Sequence, residues 1–556
     1  MKKFWIILVC VAVAAAITLG ITINSKNSIQ AKLDEANSKI AELSAQLAEA
    51  KSALETAEKA AAASAEEAAA AQAAAEEAAA AQAAAEAAAK AAAETGKAEP
   101  VKLVWFIFTD SVAPLDWPEV EEVLNAYSAE KIGVTCEFKY MNSEEIALAT
   151  QTGEYFDIAF TCDWYNDYAT NVAAGMFREL TADLENHPAL KDTVVDLAWE
   201  GVKVNGGIYA IPHMKDIGYE IFWILNSNYF LKEKGLEVDQ YISFDGIEEY
   251  FEMYKADHPD DYPFKMSYGG ITSWQNALAD WISMDYEIGL DWDAQGTDDM
   301  YTIKSALEIP RWVNRVKKIH EWYQKGYINP DAAITESMPR AQAGVVQSGQ
   351  GWFGAETVWA NAIRQPVYIS RYDGPYLSTS SIRGSMTAIS SFSEHPEEAM
   401  KLIELMNTDA WYRETARYGI EGKHYTRNDD GTVTKTELGQ TNMKVQAYGQ
   451  GHYTLGALEG SPFPEVPTDI HQWEKTMANY EHATLSAAMG FTPDLTPVET
   501  ECLAVRQVIE EYRKELWTGT SDPDVVIPEM LERMNEVGLQ TVIGELQNQL
   551  NAFLGK

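Results

Sequence analysis

Asp163, Trp164 and Tyr165 are consecutive in the chain and combine one acidic with two aromatic side chains. Such a set could bind a sugar, because the CH face of a pyranose packs on an aromatic ring while its hydroxyl groups pair with a carboxylate. The three residues closely follow an apolar segment at 156–160 that is typical of a buried strand. Ligands of open α/β sheets bind beyond the carboxyl ends of the strands. We therefore expect this cluster to line a ligand-binding cleft.

An acidic segment further along the chain suggests a metal site. Asp291, Asp293, Gln295 and Asp299 occupy positions 1, 3, 5 and 9 of an EF-hand-like calcium loop, and a glycine occupies position 6. Position 12 is Thr302, where the complete motif has a glutamate. The pattern fits either a structural calcium site or a solvated acidic loop. We expect no other cofactor.

The chain lacks the sequence patterns of common enzymes. It contains no G-x-S-x-G, no H-E-x-x-H, no Walker A loop and no C-x-x-C. Acidic pairs are frequent, but 84 aspartates and glutamates make chance pairs unavoidable. A glycosidase needs two carboxylates at a defined separation, which sequence spacing does not establish. We therefore expect a binding protein and not an enzyme.

The composition excludes nucleic acid as a partner. The formal net charge is −41, and residues 1–100 carry only 9 lysines and 13 acidic residues, so 37 of these negative charges belong to residues 101–556. Nucleic-acid binding depends on lysine and arginine to neutralise phosphates. The length of 556 residues exceeds what one hydrophobic core supports, so several domains are expected. Cys136, Cys162 and Cys502 are expected to be buried free thiols, with one disulfide as the alternative.

The N-terminus has the features of a membrane anchor. Residues Phe4–Ile23 form an uncharged run of 20 residues after Lys2 and Lys3. A helix of that length matches a hydrocarbon core of about 30 Å. The lysines predict a cytoplasmic N-terminus and an extracytoplasmic body. We therefore assign residues 1–25 as a single-pass anchor, with a cleaved signal peptide as the alternative.

Residues 26–100 have the pattern of a long helical stalk. Apolar residues alternate at intervals of four and three, which is the a/d seam of a coiled coil. An alanine-rich stretch follows, and alanine is the strongest helix former. The segment is either a stalk whose seam could join two copies or a semi-rigid linker. The seam residues are Ile29, Leu33, Ala36, Ile40, Leu43, Leu47, Ala50, Leu54 and Ala57.

The body, residues 101–556, begins with alternating strands and helices. The pattern predicts strands over Val101–Phe108, Val134–Tyr140 and Phe156–Phe160, with helices over Pro118–Ala129 and Ser143–Gln151 between them. Such alternation is typical of parallel βαβ units. The body is therefore predicted to have an α/β fold.

Several segments of the body resemble the family-1 extracellular solute-binding proteins of ABC importers, the relatives of maltose-binding protein. The order and spacing of the segments carry the resemblance, which is closest to the lipoprotein and aldouronate-transport subgroup with its C-terminal domain. The segments are TGEYFDIAFTCDW (Thr152–Trp164), YATNVAAGMFRELTADLE (Tyr168–Glu185), VNGGIYAIPHMKD (Val204–Asp216), EIFWILNSNYFLKEKGL (Glu220–Leu236), VKKIHEWYQKGYINPDAAI (Val316–Ile334), the stretch Met386–Tyr425, SPFPEVP (Ser461–Pro467), GFTPDLTPVETE (Gly490–Glu501) and VIGELQNQLNAFL (Val542–Leu554).

This resemblance implies a type II periplasmic-binding-protein fold, in which two α/β lobes enclose a cleft. Lobe one would hold residues 101–212 and 384–440, and lobe two residues 213–383 and 441–556. The implied function is the capture of a carbohydrate, expected to be an oligosaccharide, for the permease subunits of an ABC importer. The alternatives are a sensing ectodomain that presents its solute to a signalling partner, or a non-sugar solute such as a peptide.

The resemblance also implies further ligand-binding residues. Asp163, Trp164 and Tyr165 align with a region of ligand contacts in these relatives. Other candidates lie in three places. The first is a glycine-rich strand–loop, and the second follows the apolar–polar segment Phe264–Tyr268, which we expect to be a strand. The third is beside the two interlobe crossovers. They are Trp352 and Trp359 in the glycine-rich region, Trp274 after the expected strand, Trp223 at the first crossover, and Tyr376 and Arg383 at the second.

Overall fold

The computed structural model of this chain describes residues 99–109, 112–429, 432–443 and 472–556. The predicted anchor, nearly all of the predicted stalk and the segment Ser461–Pro467 lie outside these residues. Among the described residues, no helix combines the length and the apolar character needed to cross a membrane.

The strands of the described residues fall into two larger and two smaller sheets. In chain order they are β1 (Val101–Phe108), β2 (Val134–Met141), β3 (Ile158–Thr161), β4 (Ala210–Pro212), β5 (Tyr219–Asn226), β6 (Asp280–Ser283), β7 (Ile288–Leu290), β8 (Lys304–Ser305), β9 (Val346–Gln350), β10 (Val367–Leu377), β11 (Met386–Ile389), β12 (Tyr425–Arg427), β13 (Val433–Lys435) and β14 (Thr484–Leu485).

The helices surround these sheets. They are α1 (Trp117–Ile132), α2 (Ser143–Thr152), α3 (Tyr168–Ala173), α4 (Thr181–Leu184), α5 (Pro188–Lys191), α6 (Asp196–Gly201), α7 (Glu248–Asp257), α8 (Pro310–Gln324), α9 (Glu356–Ile363), α10 (Thr379–Ile382), α11 (Pro396–Thr408), α12 (Ala410–Tyr418), α13 (Glu437–Thr441), α14 (Gln472–Tyr480), α15 (Glu499–Trp517), α16 (Pro523–Glu536) and α17 (Leu539–Phe553). Short 3₁₀ turns and one π-helical turn (Asn228–Glu233) connect them.

The first sheet has the strand order β2-β1-β3-β11-β4, and we call its half of the body the first lobe. β1 runs parallel to β2 and β3, while β11 runs antiparallel to β3 and β4. The predicted strand–helix–strand–helix–strand order is confirmed, with ends within a few residues of those expected. Local capping explains this agreement: Asn142 and Glu145 form a capping box at the start of α2, and Gly133 and Gly153 end α1 and α2 with left-handed backbones.

The second sheet has the order β14-β10-β5-β9, and we call its half the second lobe. β5 is paired with β10 and β9 and is buried on both faces, with alternate side chains directed to opposite sides. Helices α15, α16 and α17 pack against this lobe with α8, and their apolar side chains (Val505, Val508, Met530, Val542 and Leu546) belong to its core.

The chain passes between the two sheets at two described crossovers. The first crossover joins β4 to β5, and the second joins β10 to β11. At the first, the Tyr480 ring lies 2.6 Å from where a Cβ atom on Gly218 would be, so a side chain at position 218 would collide with the ring. The close packing of α14 on the crossover therefore requires glycine at this position.

The three cysteines of the body are free and buried, as expected. Cys136 belongs to β2, Cys162 follows β3, and Cys502 lies on α15. Burial raises the thiol pKa of each one, so none is prepared to act as a thiolate nucleophile.

Candidate ligand-binding cleft

Trp164 projects from the first lobe where β3 ends, and 52% of it is exposed. Its indole Nε1 donates a hydrogen bond of 2.7 Å to the carbonyl oxygen of Gly384, in the second crossover. Its ring meets the edge of Phe108 with the centroids 5.6 Å apart. The indole is therefore held in place and still offers a large surface to a ligand.

Asp163 and Tyr165 flank this tryptophan in the chain, and the centre of the Tyr165 ring lies 5.9 Å from that of Trp164. The Tyr165 hydroxyl donates to the carbonyl oxygen of Asn142, just beyond β2, at 3.0 Å, and its ring packs on Phe108, at the end of β1. The cluster thus lies at the carboxyl ends of three strands, where the sequence predicted it. Burial raises the pKa of Asp163 to about 7, although the Arg383 charge partly opposes this. The Asp163 Oδ1 atom is buried without a hydrogen-bond partner among the described residues.

The first crossover brings an ion pair to the same place. Lys215 Nζ lies 3.2 Å from Asp216 Oδ1 and also donates to the Asp216 carbonyl oxygen. A Cβ on Gly384 would lie 3.9 Å from Lys215 Nζ, so the pair is adjacent to the residue that accepts from Trp164. Burial raises the pKa of Asp216, and Lys215 opposes that shift.

Glu220, near the start of β5, forms a second buried ion pair. Its Oε2 atom accepts from Arg371 Nη1 at 2.6 Å and from Asn479 Nδ2 at 2.7 Å. Its Oε1 atom is buried and has no hydrogen-bond partner in the described part of the chain. Burial raises the pKa of Glu220, Arg371 lowers it, and the nearby Asp216 charge raises it further.

Arg371 connects this ion pair to two aromatic rings of the second lobe. Its guanidinium carbon lies 5.0 Å from the ring centre of Tyr241 and 5.3 Å from that of Phe353, within the range of cation–π attraction. Tyr241 is 57% exposed, and Phe353 meets it edge-on at 5.7 Å. Phe353 directly follows Trp352 in the predicted glycine-rich loop.

These contacts link the exposed Trp164 and Tyr241 through buried charged groups of the first crossover, and we call the linked residues the crossover band. It combines exposed aromatic faces with carboxylate, amide and cationic groups, which is the chemistry that binds sugars. Sequence analysis did not identify its Glu220, Arg371, Asn479 and Tyr241 as a site, and no local motif marks them. The crossover band consists of Trp164, Lys215, Asp216, Glu220, Tyr241, Arg371 and Asn479.

Trp352 and Trp359 pack together beside β5. Trp352 is buried in a small cluster with Phe222, and Trp359 packs against the same cluster. A Cβ on Gly349 would lie 2.7 Å from the Trp359 ring, so this glycine makes room for the indole. The Arg340 guanidinium lies 4.5 Å from the Trp359 ring centre. The two tryptophans are thus close to Phe353 in the chain but present little surface of their own.

The structure places Trp223 and Trp274 in the core of the second lobe. It does not place them at the ligand-binding surface that was predicted for them from the sequence. Trp223 stacks on Tyr372 with ring centres 4.2 Å apart, because its position on β5 faces the lobe interior. Trp274 packs edge-on against Trp517. The expected strand at Phe264–Tyr268 is wrong: the segment has only isolated bridges at Phe264 and is otherwise irregular.

Tyr376 and Arg383 are also buried, and protein groups occupy their polar atoms. The Tyr376 hydroxyl donates to Asp373 at 2.7 Å and accepts from Arg311. Arg383 donates to the carbonyl oxygens of Gly201 and Lys203 and to the Thr492 hydroxyl at 2.8–2.9 Å. Both side chains therefore join parts of the fold and present little surface to a ligand.

The structure does not bring the candidate calcium ligands Asp291, Asp293, Gln295 and Asp299 together as a metal site. Among the described residues there is no group of three or more histidine, cysteine, aspartate or glutamate side chains that could hold a metal. Instead, Arg311 Nε donates to Asp293 Oδ2 at 3.1 Å. The Asp291 carboxylate caps a local turn by accepting from the Asp293 amide, and Asp299 lies 4.0 Å from a lysine Nζ. Arg311 thus pairs with the Asp293 carboxylate, and a backbone amide donates to the Asp291 carboxylate, where a calcium ion would bind.

Comparison with known proteins shows that the chain is similar to substrate-binding proteins. Residues 487–555 match a family model described as Domain of unknown function (DUF3502). The chain is 25% identical over 483 residues to a carbohydrate ABC transporter substrate-binding protein of Streptococcus pneumoniae serotype 4, covering 83% of this chain and 92% of that one. The resemblance inferred from the sequence is thereby confirmed.

Solved structures share the two-lobed α/β fold. The N-glycan transport solute-binding protein NgtS from Streptococcus pneumoniae superposes with a TM-score of 0.73 at 22% identity, covering 82% of this chain and 99% of that one. The same protein in complex with Man5GlcNAc superposes with a TM-score of 0.64 at 22% identity over the same shares of the two chains. These similarities confirm the predicted solute-binding-protein fold.

Proposed function

We propose that this chain, a relative of the substrate-binding proteins of ABC transporters, captures an oligosaccharide outside the cytoplasm and delivers it to an importer. The observation that carries the proposal is the exposed Trp164 beside Asp163, a carboxylate with a buried oxygen that has no hydrogen-bond partner among the described residues. The name of the curated relative supports the transport role. A binding protein of this kind carries out no covalent step.

The proposed binding mode follows from the two lobes. A pyranose ring would pack on Trp164 in the first lobe, while Tyr241 and Phe353 in the second lobe would contact the next units of the glycan. Asp163 and Glu220 would accept hydrogen bonds from hydroxyl groups. Closure of the lobes about the two crossovers would then trap the ligand, because both halves of the site contact it together.

Three other residues predicted from the sequence would support these ligand contacts from behind. Tyr165 would hold Trp164 in position, and Trp352 and Trp359 would shape the wall behind Phe353. NgtS has been crystallised with Man5GlcNAc, which makes glycans of mannose and N-acetylglucosamine the first candidates for this chain.

The arrangement of the chain at the membrane is part of the proposal. Residues 1–25 would anchor the protein, residues 26–100 would form the stalk, and the body would divide at the lobe boundaries predicted from the sequence. The seam of the stalk would allow two copies to associate. Mass spectrometry of the membrane fraction tests the anchor, because an intact N-terminus is expected there and a shortened one would show a cleaved signal peptide.

A ligand screen on the full chain tests the function. We expect Man5GlcNAc or a related oligosaccharide to raise the melting temperature, because a ligand at 100 times its Kd stabilises the native state by about 2.7 kcal/mol. Peptides and amino acids are the controls. If only peptides raise the melting temperature, the assignment as a binding protein stands, but the proposed carbohydrate ligand is rejected. Recovery of a shortened glycan after incubation would indicate hydrolysis.

A further inference from the structure

The two cations of the crossover band are each paired with an adjacent carboxylate. Lys215 Nζ is 3.2 Å from Asp216 Oδ1, and Arg371 Nη1 is 2.6 Å from Glu220 Oε2. All four side chains are largely buried. Each positive charge is therefore already balanced by a carboxylate that lies as close as the anionic group of a ligand would.

An anionic ligand that reached either of these cations would also meet like charge. A uronate carboxylate placed against Arg371 would come close to the Glu220 carboxylate, and one placed against Lys215 would come close to Asp216. Two like charges at such distances repel strongly in a partly desolvated site. The 37 net negative charges of residues 101–556 add a longer-range repulsion that salt screens.

Two buried carboxylate oxygens near the first crossover could accept hydrogen bonds from a ligand. Asp163 Oδ1 and Glu220 Oε1 are buried acceptors with no partner among the described residues. Buried polar atoms are almost always hydrogen-bonded in native structures. When Asp163 and Glu220 are ionised, a sugar hydroxyl can donate to their oxygens, whereas an ionised carboxylate of a ligand has no proton to donate.

We propose that the cleft selects a neutral oligosaccharide and discriminates against uronate-containing glycans. This inference rests on the proposed function and specifies its substrate class. Because each cation is already paired with a carboxylate, the site has little attraction for anions. The two unpartnered carboxylate oxygens can accept hydrogen bonds from the hydroxyl groups of a neutral sugar. The same groups thus favour one class of glycan and disfavour the other.

Calorimetric titration of the full chain tests the selection. The neutral ligand is Man5GlcNAc, and the anionic ligands are oligouronates of similar length. We expect the neutral glycan to bind at least about 10-fold more tightly at moderate salt. Oligouronate binding as tight as that of the neutral glycan would overturn the inference and leave carbohydrate capture intact. Heat from peptides alone would reject the proposed function, and the inference with it.

Two further measurements identify the charges responsible. Glu220→Gln keeps the side-chain shape but leaves the Arg371 charge unbalanced, so the ratio of neutral to uronate affinity should fall by about 10-fold. Glu248→Gln, which removes a carboxylate paired with Lys318 and Lys325, is the control and should leave the ratio unchanged. An unchanged ratio in Glu220→Gln would contradict the inference.

Salt dependence in the unmodified chain provides a test that does not rely on a variant. The Kd for the neutral glycan should change little between about 50 mM and about 500 mM salt, whereas residual uronate binding should strengthen as repulsion is screened. Uronate binding that weakens with salt would show a net attraction for anions and would overturn the inference.

Discussion

The indole nitrogen of Trp164 donates to the carbonyl oxygen of Gly384 at 2.7 Å, across 220 residues of sequence. This hydrogen bond fixes the exposed aromatic side chain of the first lobe to the second crossover. Because Gly384 lies between β10 and β11, the indole is held at the place where the chain passes from one lobe to the other. The ring orientation is thus set before any ligand arrives, which lowers the entropic cost of binding.

Substitution of Trp164 by alanine should weaken oligosaccharide binding by about 10-fold or more, because it removes the stacking surface. Phenylalanine retains a ring but loses the hydrogen bond to Gly384, so its loss should be smaller. Trp411→Ala is the matched control, since Trp411 is also exposed but stacks on Tyr127 on the outer helices of the first lobe. Titration calorimetry measures all three, and equal losses in the Trp164 and Trp411 variants would remove Trp164 from the site.

Substitution of Arg371 by leucine should destabilise the fold by about 3 kcal/mol. The variant leaves the Glu220 carboxylate buried without its cation, and removing one partner of a buried ion pair is costly. Urea unfolding measures the loss. The double variant Arg371→Leu with Glu220→Gln should recover part of it, because the uncompensated charge is gone. No recovery would mean that the arginine stabilises mainly through Tyr241 and Phe353.

Calcium should leave the melting temperature of the chelator-treated protein unchanged, because Arg311 already binds the Asp293 carboxylate. Arg311→Gln should lower the unfolding free energy by about 3 kcal/mol, since the guanidinium also pairs with the buried Asp373. Differential scanning calorimetry with and without calcium measures both effects. A calcium-dependent rise in the unmodified protein would show that the protein binds calcium and would contradict this prediction.

Glu287 should make the protein less stable as pH rises. Burial raises its pKa to about 7, above its ordinary value of 4.5, and the Arg513 charge only partly opposes this. The folded state therefore holds the proton more tightly than the unfolded state, and this stabilisation is fully present below pH 4.5 and lost as pH rises through about 7.

Glu287→Gln should raise the unfolding free energy by about 2 kcal/mol at pH 8 and change it little at pH 4, because glutamine has no charge to bury. Urea unfolding at the two pH values measures this difference. Asp299→Asn, in an exposed turn, is the control and should show no such pH dependence. A gain of equal size at both pH values would assign the effect to packing and not to titration.

Local patterns sufficed to predict the first strands and helices of the body. Pro118 near the start of α1 and the glycines that end α1 and α2 are short-range signals. The Asp163–Tyr165 cluster could be placed because it directly follows a strand, and the carboxyl ends of parallel strands lie on one edge of a sheet. The same rule failed for Trp274, since the segment Phe264–Tyr268 does not form a strand.

The positions of the other aromatic residues depended on long-range packing. Trp223 and Phe222 are neighbours on β5, but they face opposite sides of the sheet, and only the packed lobes decide which side is core. Glu220 is separated by 151 residues from Arg371 and by 259 from Asn479, so no local spacing predicts their contact.

The sequence by itself determined the α/β class of the body, its acidic charge, the expectation of a binding protein and the position of Trp164 at a strand end. These features depend on residue types and on contacts between near neighbours in the chain. The spacing of apolar and polar residues along the sequence reveals such contacts. Only the tertiary structure decided which aromatic residues reach solvent, that Arg311 holds the Asp293 carboxylate, and that two ion pairs meet at the crossover. Those features depend on contacts between distant segments, and each is fixed by the packing of whole lobes.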